Sequence, residues 1–485
     1  MKNSFHSNDH LVKNEKNPIY RPEENQSLNE FDITDFEEPE YFLGRPDFQA
    51  RTFGFDEFLL RPSFRDFNHA ASLISGHEVQ GAAPAVTGSV PEPSAGSAVA
   101  SAAPTSGGQS TGTADSPSLD RLEDSGIHDD VAKYIKNGSL DHASLLHILQ
   151  DAAAGGISSS EFSTLKTLDS LLNQKDGITT SSYDAFIADA LIGGNTANAH
   201  WTGGGSATDL GNLDGSSSED KANKLIGKWF LGTDLPSFWS NGGTRAYAND
   251  TTPLYGEGGA PTYLDVNQGS VGDCYFLAAL GDVALREPNA IQSMFTDNGD
   301  GTYGVRFFDT GHQNKAVYVT VDSEFVSYTN GYKWSNGSRH TFANGPVKWA
   351  ALAEKAYAEV NEQGILPRSS GNSYDLISGG WGEAIGEITG KTVTTSSPGT
   401  AGAVDAWKNG QEVLVATGSK TSGDFVHNHM YEVIDYDANK SLFELHNPWG
   451  SANAHPGVNI TFWASATDLS TNGCTLIAAS GMAIA

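Results

Sequence analysis

Asn267-Gln268-Gly269-Ser270-Val271-Gly272-Asp273-Cys274-Tyr275-Phe276-Leu277-Ala278-Ala279-Leu280 runs from a glycine-rich loop straight into an apolar helix. Phe276, Leu280 and Val283 recur at helical spacing, which buries one face and starts the helix at or beside Cys274. The positive end of a helix favours thiolate over thiol, and a neighbouring imidazolium favours it further. Gln268 lies six residues upstream. From there its side chain can fold back over the loop, so that its amide NH2 and the backbone N–H of Cys274 face a developing oxyanion.

A cysteine nucleophile needs a base, and the base needs a partner that fixes its tautomer and ring plane. Asn428-His429-Met430-Tyr431-Glu432-Val433-Ile434 opens an apolar strand on His429, and Leu442-Phe443-Glu444-Leu445-His446-Asn447-Pro448-Trp449-Gly450 closes another on Asn447. Pairing of these strands would bring imidazole and amide together, with the Trp449 indole shielding their hydrogen bond from water. Singly, Cys274 reads as a buried thiol, His429 as a strand histidine and Asn447-Pro448 as a turn; their conjunction is what points to catalysis. His427, His446 and Cys474 keep the structural reading, and Trp349 and Tyr357 read as core.

Composition narrows the function classes. With 59 acidic against 29 basic residues and a net charge of -30, the chain offers no phosphate-binding surface. Nucleic acid is therefore excluded as a partner, although His427-Asn428-His429 spells a nuclease-like triplet. Two cysteines 200 positions apart form no disulfide framework. Neither a signal peptide nor an uncharged run of membrane-spanning length is visible. Secretion by a signal-peptide-independent route and a cytoplasmic location are both compatible with this pattern.

A chain of 485 residues exceeds one ordinary core. Residues 1–80 are acidic and Phe-rich without sustained periodicity, and residues 81–118 collapse to Ala, Gly, Ser, Thr and Pro, a linker composition. Residues 119–202 read as a small all-α module, with Leu145, Ile148 and Leu149 on one face and Phe162, Leu165, Leu168, Leu171 and Leu172 on the next. Its connections over 155–162 and 176–183 look alike, and the first resembles the exit half of an EF-hand loop, but Gln150, Ala152 and Ala154 stand where calcium ligands would be needed. Residues 203–220 form a second Gly/Ser linker, and residues 221–485 alternate helices with strand-like runs. That pattern predicts an α+β fold in two lobes, helical over about 221–370 and β-rich over about 371–485.

Gln268-Gly-x-x-Gly-Asp-Cys274-Tyr-Phe-Leu, Trp349-x-x-Leu-x-Glu-Lys-Ala-Tyr357, the His429 segment and Asn447-Pro-Trp-Gly450 together resemble the calpain family of papain-like cysteine endopeptidases, in a minimal, bacterial-like form. The resemblance implies a two-lobed protease core, with Cys274 on the helical lobe, His429 and Asn447 on the β-rich lobe, Gln268 at the oxyanion and protein substrates in the cleft. It also raises calcium, which no step of this chemistry requires. Asp265 matches one acidic ligand position, but Val347 replaces the family's glutamate near the helix tryptophan, and 451–464 holds no Asp or Glu. Residues 1–80 then read as a pro-segment that inhibits the cleft until self-cleavage. A deamidating or transglutaminase-like acyl transferase, or an inactive binding module, are the competing readings.

Overall fold

The computed structural model describes residues 119–480, apart from 176, 239–244, 329–342, 344–345, 399–400 and 452–456. The expectations for residues 1–80 and 81–118 lie outside the described residues. Four helices come first, α1 (Ser125–Tyr134), α2 (His142–Ala153), α3 (Ser159–Leu172) and α4 (Ser182–Ile192). Each begins on an oxygen side chain: Asp124, Asp141, Ser158 and Ser181 accept from first-turn backbone N–H groups. Ser158 and Glu161 complete a capping box. The look-alike turns are thus helix starts, and the Leu positions facing inward from α2 and α3 join Ile187 and Leu191 of α4 in one core.

A short hairpin, β1 (His200–Trp201) with β2 (Thr208–Asp209), leads into α5 (Glu219–Ile226) and a π-helical turn, Gly227–Leu231. Trp229 and Phe230 of that turn close the same core. Polar links then tie it to the rest of the fold. Asn298 donates to the Tyr183 hydroxyl (3.2 Å), Tyr183 bonds Thr320 (2.7 Å), and Thr320 donates to the Trp229 carbonyl. Lys228, buried, pairs with Asp234 (2.6 Å) and Glu362 (2.5 Å). Both ring nitrogens of His142 face acceptors, Asp184 Oδ1 at 2.9 Å and the Phe230 carbonyl at 3.2 Å.

Next come β3 (Arg245–Asn249), α6 (Cys274–Arg286), α7 (Pro288–Gln292), β4 (Phe295–Asp297), β5 (Thr302–Asp309), β6 (Lys315–Asp322), β7 (Glu324–Tyr328) and α8 (Trp349–Val360). Residues 221–370, the lobe expected to combine helices with strand-like runs, hold five strands, paired antiparallel as β3-β7 and β4-β5-β6. Phe276 of α6 stacks on Tyr357 of α8 with ring centroids 3.9 Å apart, and Trp349 is fully buried beside them.

The chain finishes with α9 (Ala384–Thr389), β8 (Thr392–Ser396), α10 (Ala401–Lys408), β9 (Val413–Ala416), β10 (Met430–Asp437), β11 (Leu442–His446), β12 (Thr461–Ser465), α11 (Ala466–Thr471) and β13 (Thr475–Ser480). Its strands form a six-stranded antiparallel sheet in the order β12-β11-β10-β9-β13-β8. Helix α6 is buried from Tyr275 to Ala284, not along one face only, because it is covered on its far side by this sheet. Asp282 accepts from the Val413 N–H (2.5 Å), Arg286 donates to the Val433 carbonyl (3.2 Å), and Gly281 leaves the room that Glu432 fills. No helix among the described residues is long and apolar enough to cross a membrane.

A Cβ on Gly304 of β5 would stand 2.6 Å from the Tyr183 ring, which the Thr320 bond holds in place. Gly304→Ala is expected to lower stability by about 1–3 kcal/mol through overpacking, measured by urea denaturation against wild type.

Candidate active site

Cys274 is the first residue of α6, following Asp273 at the N-cap. The loop before it is closed by its own polar groups. Gln268 donates through Nε2 to the Val271 carbonyl (2.8 Å) and towards Asp273 Oδ1 (3.3 Å), and its backbone N–H donates to the Pro448 carbonyl (2.8 Å). Gly272 accepts from Gly379 N–H (3.0 Å), so the loop is held from both sides. The side-chain amide of Gln268 thus folds back across the loop, as the spacing allows, but lies on the loop's own acceptors.

Across from it, His429 immediately precedes β10. Asn428 turns the chain there with φ 49°, a left-handed conformation that Asn tolerates better than most residues. The backbone of His429 is clamped by Thr417, which receives its N–H (2.9 Å) and donates back to its carbonyl (2.8 Å). Asn447 directly follows β11, the neighbour of β10. Its Oδ1 accepts from the Trp449 backbone N–H (3.0 Å) and from His429 Nε2 (2.8 Å). An oxygen that accepts cannot donate, so the His429 proton sits on Nε2 and Nδ1 is left as the basic nitrogen. Trp449 lies against one side of the imidazole and Tyr431 meets it edge-on, both with centroids 5.1 Å away.

The Cys274 sulfur accepts a hydrogen bond from the backbone N–H of Met430, the residue after His429. Thiol and imidazole are therefore brought together by adjacent residues at the start of β10. Their ionisation differs from the expectation of a thiolate at a helix start. Burial pushes the Cys274 thiol up to about 12, with the nearby Asp273 charge adding to the effect, and pushes the His429 imidazole down to about 4 against the Asn447 bond. Desolvation here outweighs the helix end, and the resting pair is thiol plus neutral imidazole.

Sequence reading missed the groups that hold this pair. His446 and Glu432 are cross-strand partners on β11 and β10 and form a buried bond of 2.5 Å between Nδ1 and Oε1, one residue from Asn447. Tyr263 packs edge-on against His446. Thr417 and Tyr431 carried no motif signal; their only sequence cue is position next to buried strand residues. Both cysteines are free, and Cys474 packs in a core formed by the six-stranded sheet.

Asp265 was the candidate calcium ligand. Its Oδ2 accepts from Thr262 N–H (2.8 Å) and from the Trp349 indole N–H (2.9 Å). Two hydrogen-bond donors aimed at one carboxylate oxygen are the reverse of what a cation site presents, and the Val347 side chain brings no oxygen. These residues do not fit calcium. No cluster of three or more His, Cys, Asp or Glu side chains suited to a metal occurs among the described residues.

The α+β frame thus sets a cysteine at a helix start close to a histidine at the start of a strand of the antiparallel sheet. This chain is similar to the calpain type: its residues 247–465 match the calpain family cysteine protease description. Over 217 residues, 39% of this chain and 27% of the relative, it is 27% identical to calpain clp-4 of Caenorhabditis elegans. It is 30% identical to human calpain-14 over 212 residues, 39% of this chain and 28% of that one, and 24% identical to human calpain-9 over 220 residues, 40% and 29%. The chain spans less than a third of the length of these curated relatives.

Because the folded state keeps His429 neutral while the unfolded chain protonates it below about 6.5, native stability falls as pH drops from about 6.5 towards 4. His429→Gln lacks this loss. The stability gap between wild type and His429→Gln, measured by urea denaturation, is expected to move in favour of the variant by about 2 kcal/mol between pH 7 and pH 5.

Proposed function

We propose that this chain hydrolyses peptide bonds by acyl transfer through a Cys274-His429-Asn447 triad. The observation that carries the reading is the Nε2-to-Asn447 bond, which leaves Nδ1 bare while the next residue's N–H holds the thiol sulfur. A substrate carbonyl entering the site brings the two neutral groups into use. The Cys274 proton passes to His429 Nδ1 as sulfur bonds to the carbonyl carbon. The oxyanion is met by the Cys274 N–H and by the Gln268 amide, which exchanges the Val271 carbonyl for the new acceptor. The imidazolium returns its proton to the leaving amine, the C–N bond breaks, and water then hydrolyses the thioester with His429 as base. Trp449 keeps bulk water from the His429-Asn447 bond throughout.

Calcium has no place in this sequence of steps, since Asp265 is committed to Thr262 and Trp349. In the same reading the protein substrates include the chain itself: the Ala/Gly/Ser/Pro composition of residues 81–118 suits a tether cut to release an inhibitory residue 1–80 segment.

Wild type incubated with casein is expected to release peptides with new N-termini at equal rates in calcium and in EGTA, and to shorten itself; Cys274→Ala does neither. Ammonia release without new N-termini would instead identify a deamidating acyl transferase, and a Cys274→Ala chain that shortens as fast as wild type would overturn self-processing. Asn447→Ala is expected to lower kcat on the order of 10²-fold by freeing the imidazole from its productive orientation, with KM little changed.

A further inference from the structure

Asp273 and Glu354 are a pair of carboxyl groups at the foot of the nucleophile, and nothing in the acyl-transfer steps above uses them. Asp273 is fully buried at the N-cap of α6, and Glu354, 1% exposed, comes from α8. Each has one oxygen served by a donor. Asp273 Oδ1 faces the Gln268 amide (3.3 Å), and Glu354 Oε2 accepts from the Ala343 N–H (2.8 Å). The remaining oxygens, Asp273 Oδ2 and Glu354 Oε1, are buried with no hydrogen-bond donor beside them among the described residues, and the two carboxyl groups lie within reach of a bond to each other. Two ionised carboxylates have no hydrogen to place between them, so that bond requires a proton.

We propose that Asp273 and Glu354 share one proton, and that this shared proton positions Gln268 and caps the negative charge beside Cys274 at one. Asp273 and the Cys274 sulfur stand at the same helix end and compete for its positive dipole. While the proton is held, the pair carries a single charge, enough to hold the Gln268 amide through Oδ1. Once the proton is lost, a second charge faces the sulfur and the Asp273-Glu354 bond breaks into repulsion.

The surroundings agree with a proton that is held at neutral pH. Burial raises Asp273 to about 7 and Glu354 well above the usual carboxyl range; the Asp273 charge pushes Glu354 further up, while the bond offered by Glu354 holds Asp273 lower than burial alone would. The groups facing the pair are Cys274, Tyr275, Tyr374 and Arg368. Arg368, the only cation among them, is committed to the hydroxyls of Tyr275 and Tyr357 and to Glu383 (3.1 Å), and so attenuates the pair without neutralising it.

Glu354→Gln tests this, because its amide can donate to Asp273 but has no proton to lose. A carboxyl group whose folded pKa is raised contributes stability that is present at low pH and lost as pH rises through the folded value. The melting temperature of Glu354→Gln should therefore gain on wild type as pH rises from about 5 to about 8.5. The rate of Cys274 alkylation by iodoacetamide, followed by mass spectrometry, reports on the nucleophile without any proteolysis. The ratio of the variant's rate to that of wild type should climb about tenfold between about pH 6 and about pH 9, as only wild type acquires the second charge. A melting difference that does not vary with pH would remove the shared proton. A varying melting difference with a flat alkylation ratio would show a structural pair that does not act on Cys274, and would equally overturn the proposal. Neither readout depends on peptide cleavage, so the protease reading and this one fail separately: the proposal rests on that reading only in naming Cys274 as the nucleophile.

Discussion

The seating of α6 on the six-stranded sheet is the constraint on which the remainder depends. Asp282 and Arg286 lie one turn apart on that helix, and instead of serving only each other they reach across to the Val413 N–H and the Val433 carbonyl. Gly281 lets Glu432 approach to a distance that any side chain would block. Deleting one partner of such a buried bond strands the other without water, a cost of about 1–3 kcal/mol per group, so the helix has one favourable register on the sheet. That register decides that the Cys274 sulfur meets the Met430 N–H, and so that sulfur and imidazole belong to one site. The Lys391 bridge between Glu412 and Glu287, at 2.8 Å to each, ties down the far end of the same helix.

How far this was legible beforehand follows from which forces are local. The start of α6 at Cys274 was readable, because a glycine loop followed by an unbroken apolar run has few alternatives. The positions of His429 and Asn447 at the ends of two strands were readable for the same reason, and the structure lays those strands side by side. The clamps were not. Asp282 and Arg286 at i and i+4 look like an exposed helix pair, and Glu432 and His446 look like ordinary polar residues of alternating strands; only burial turns them into structural bonds. Likewise β3 and β7 are joined across some 75 positions of sequence, a pairing that periodicity cannot foresee.

The ionisation of the site is the clearest instance. Helix dipole and neighbouring imidazole, both inferable from sequence, argue for a thiolate. Burial, which sequence does not reveal, argues for the neutral pair and wins in this structure. Asp265 follows the same logic in a different setting. Its carboxylate matched a metal-ligand position by spacing alone, but the indole of Trp349, 84 positions away, takes the oxygen that a cation would have needed.

The chain Asn298-Tyr183-Thr320-Trp229 and the Lys228 pairs with Asp234 and Glu362 bear on how the molecule comes apart. They join the core built by α1–α4 to strand β6 and the end of α8 through groups that have no water to fall back on. Melting either side alone would leave a lysine charge, a phenol and a threonine hydroxyl stranded at a dry face. The two cores are therefore thermodynamically coupled, and the helices before residue 200 behave as part of one cooperative folding unit with the domain that bears Cys274, not as an appendage that frays ahead of it.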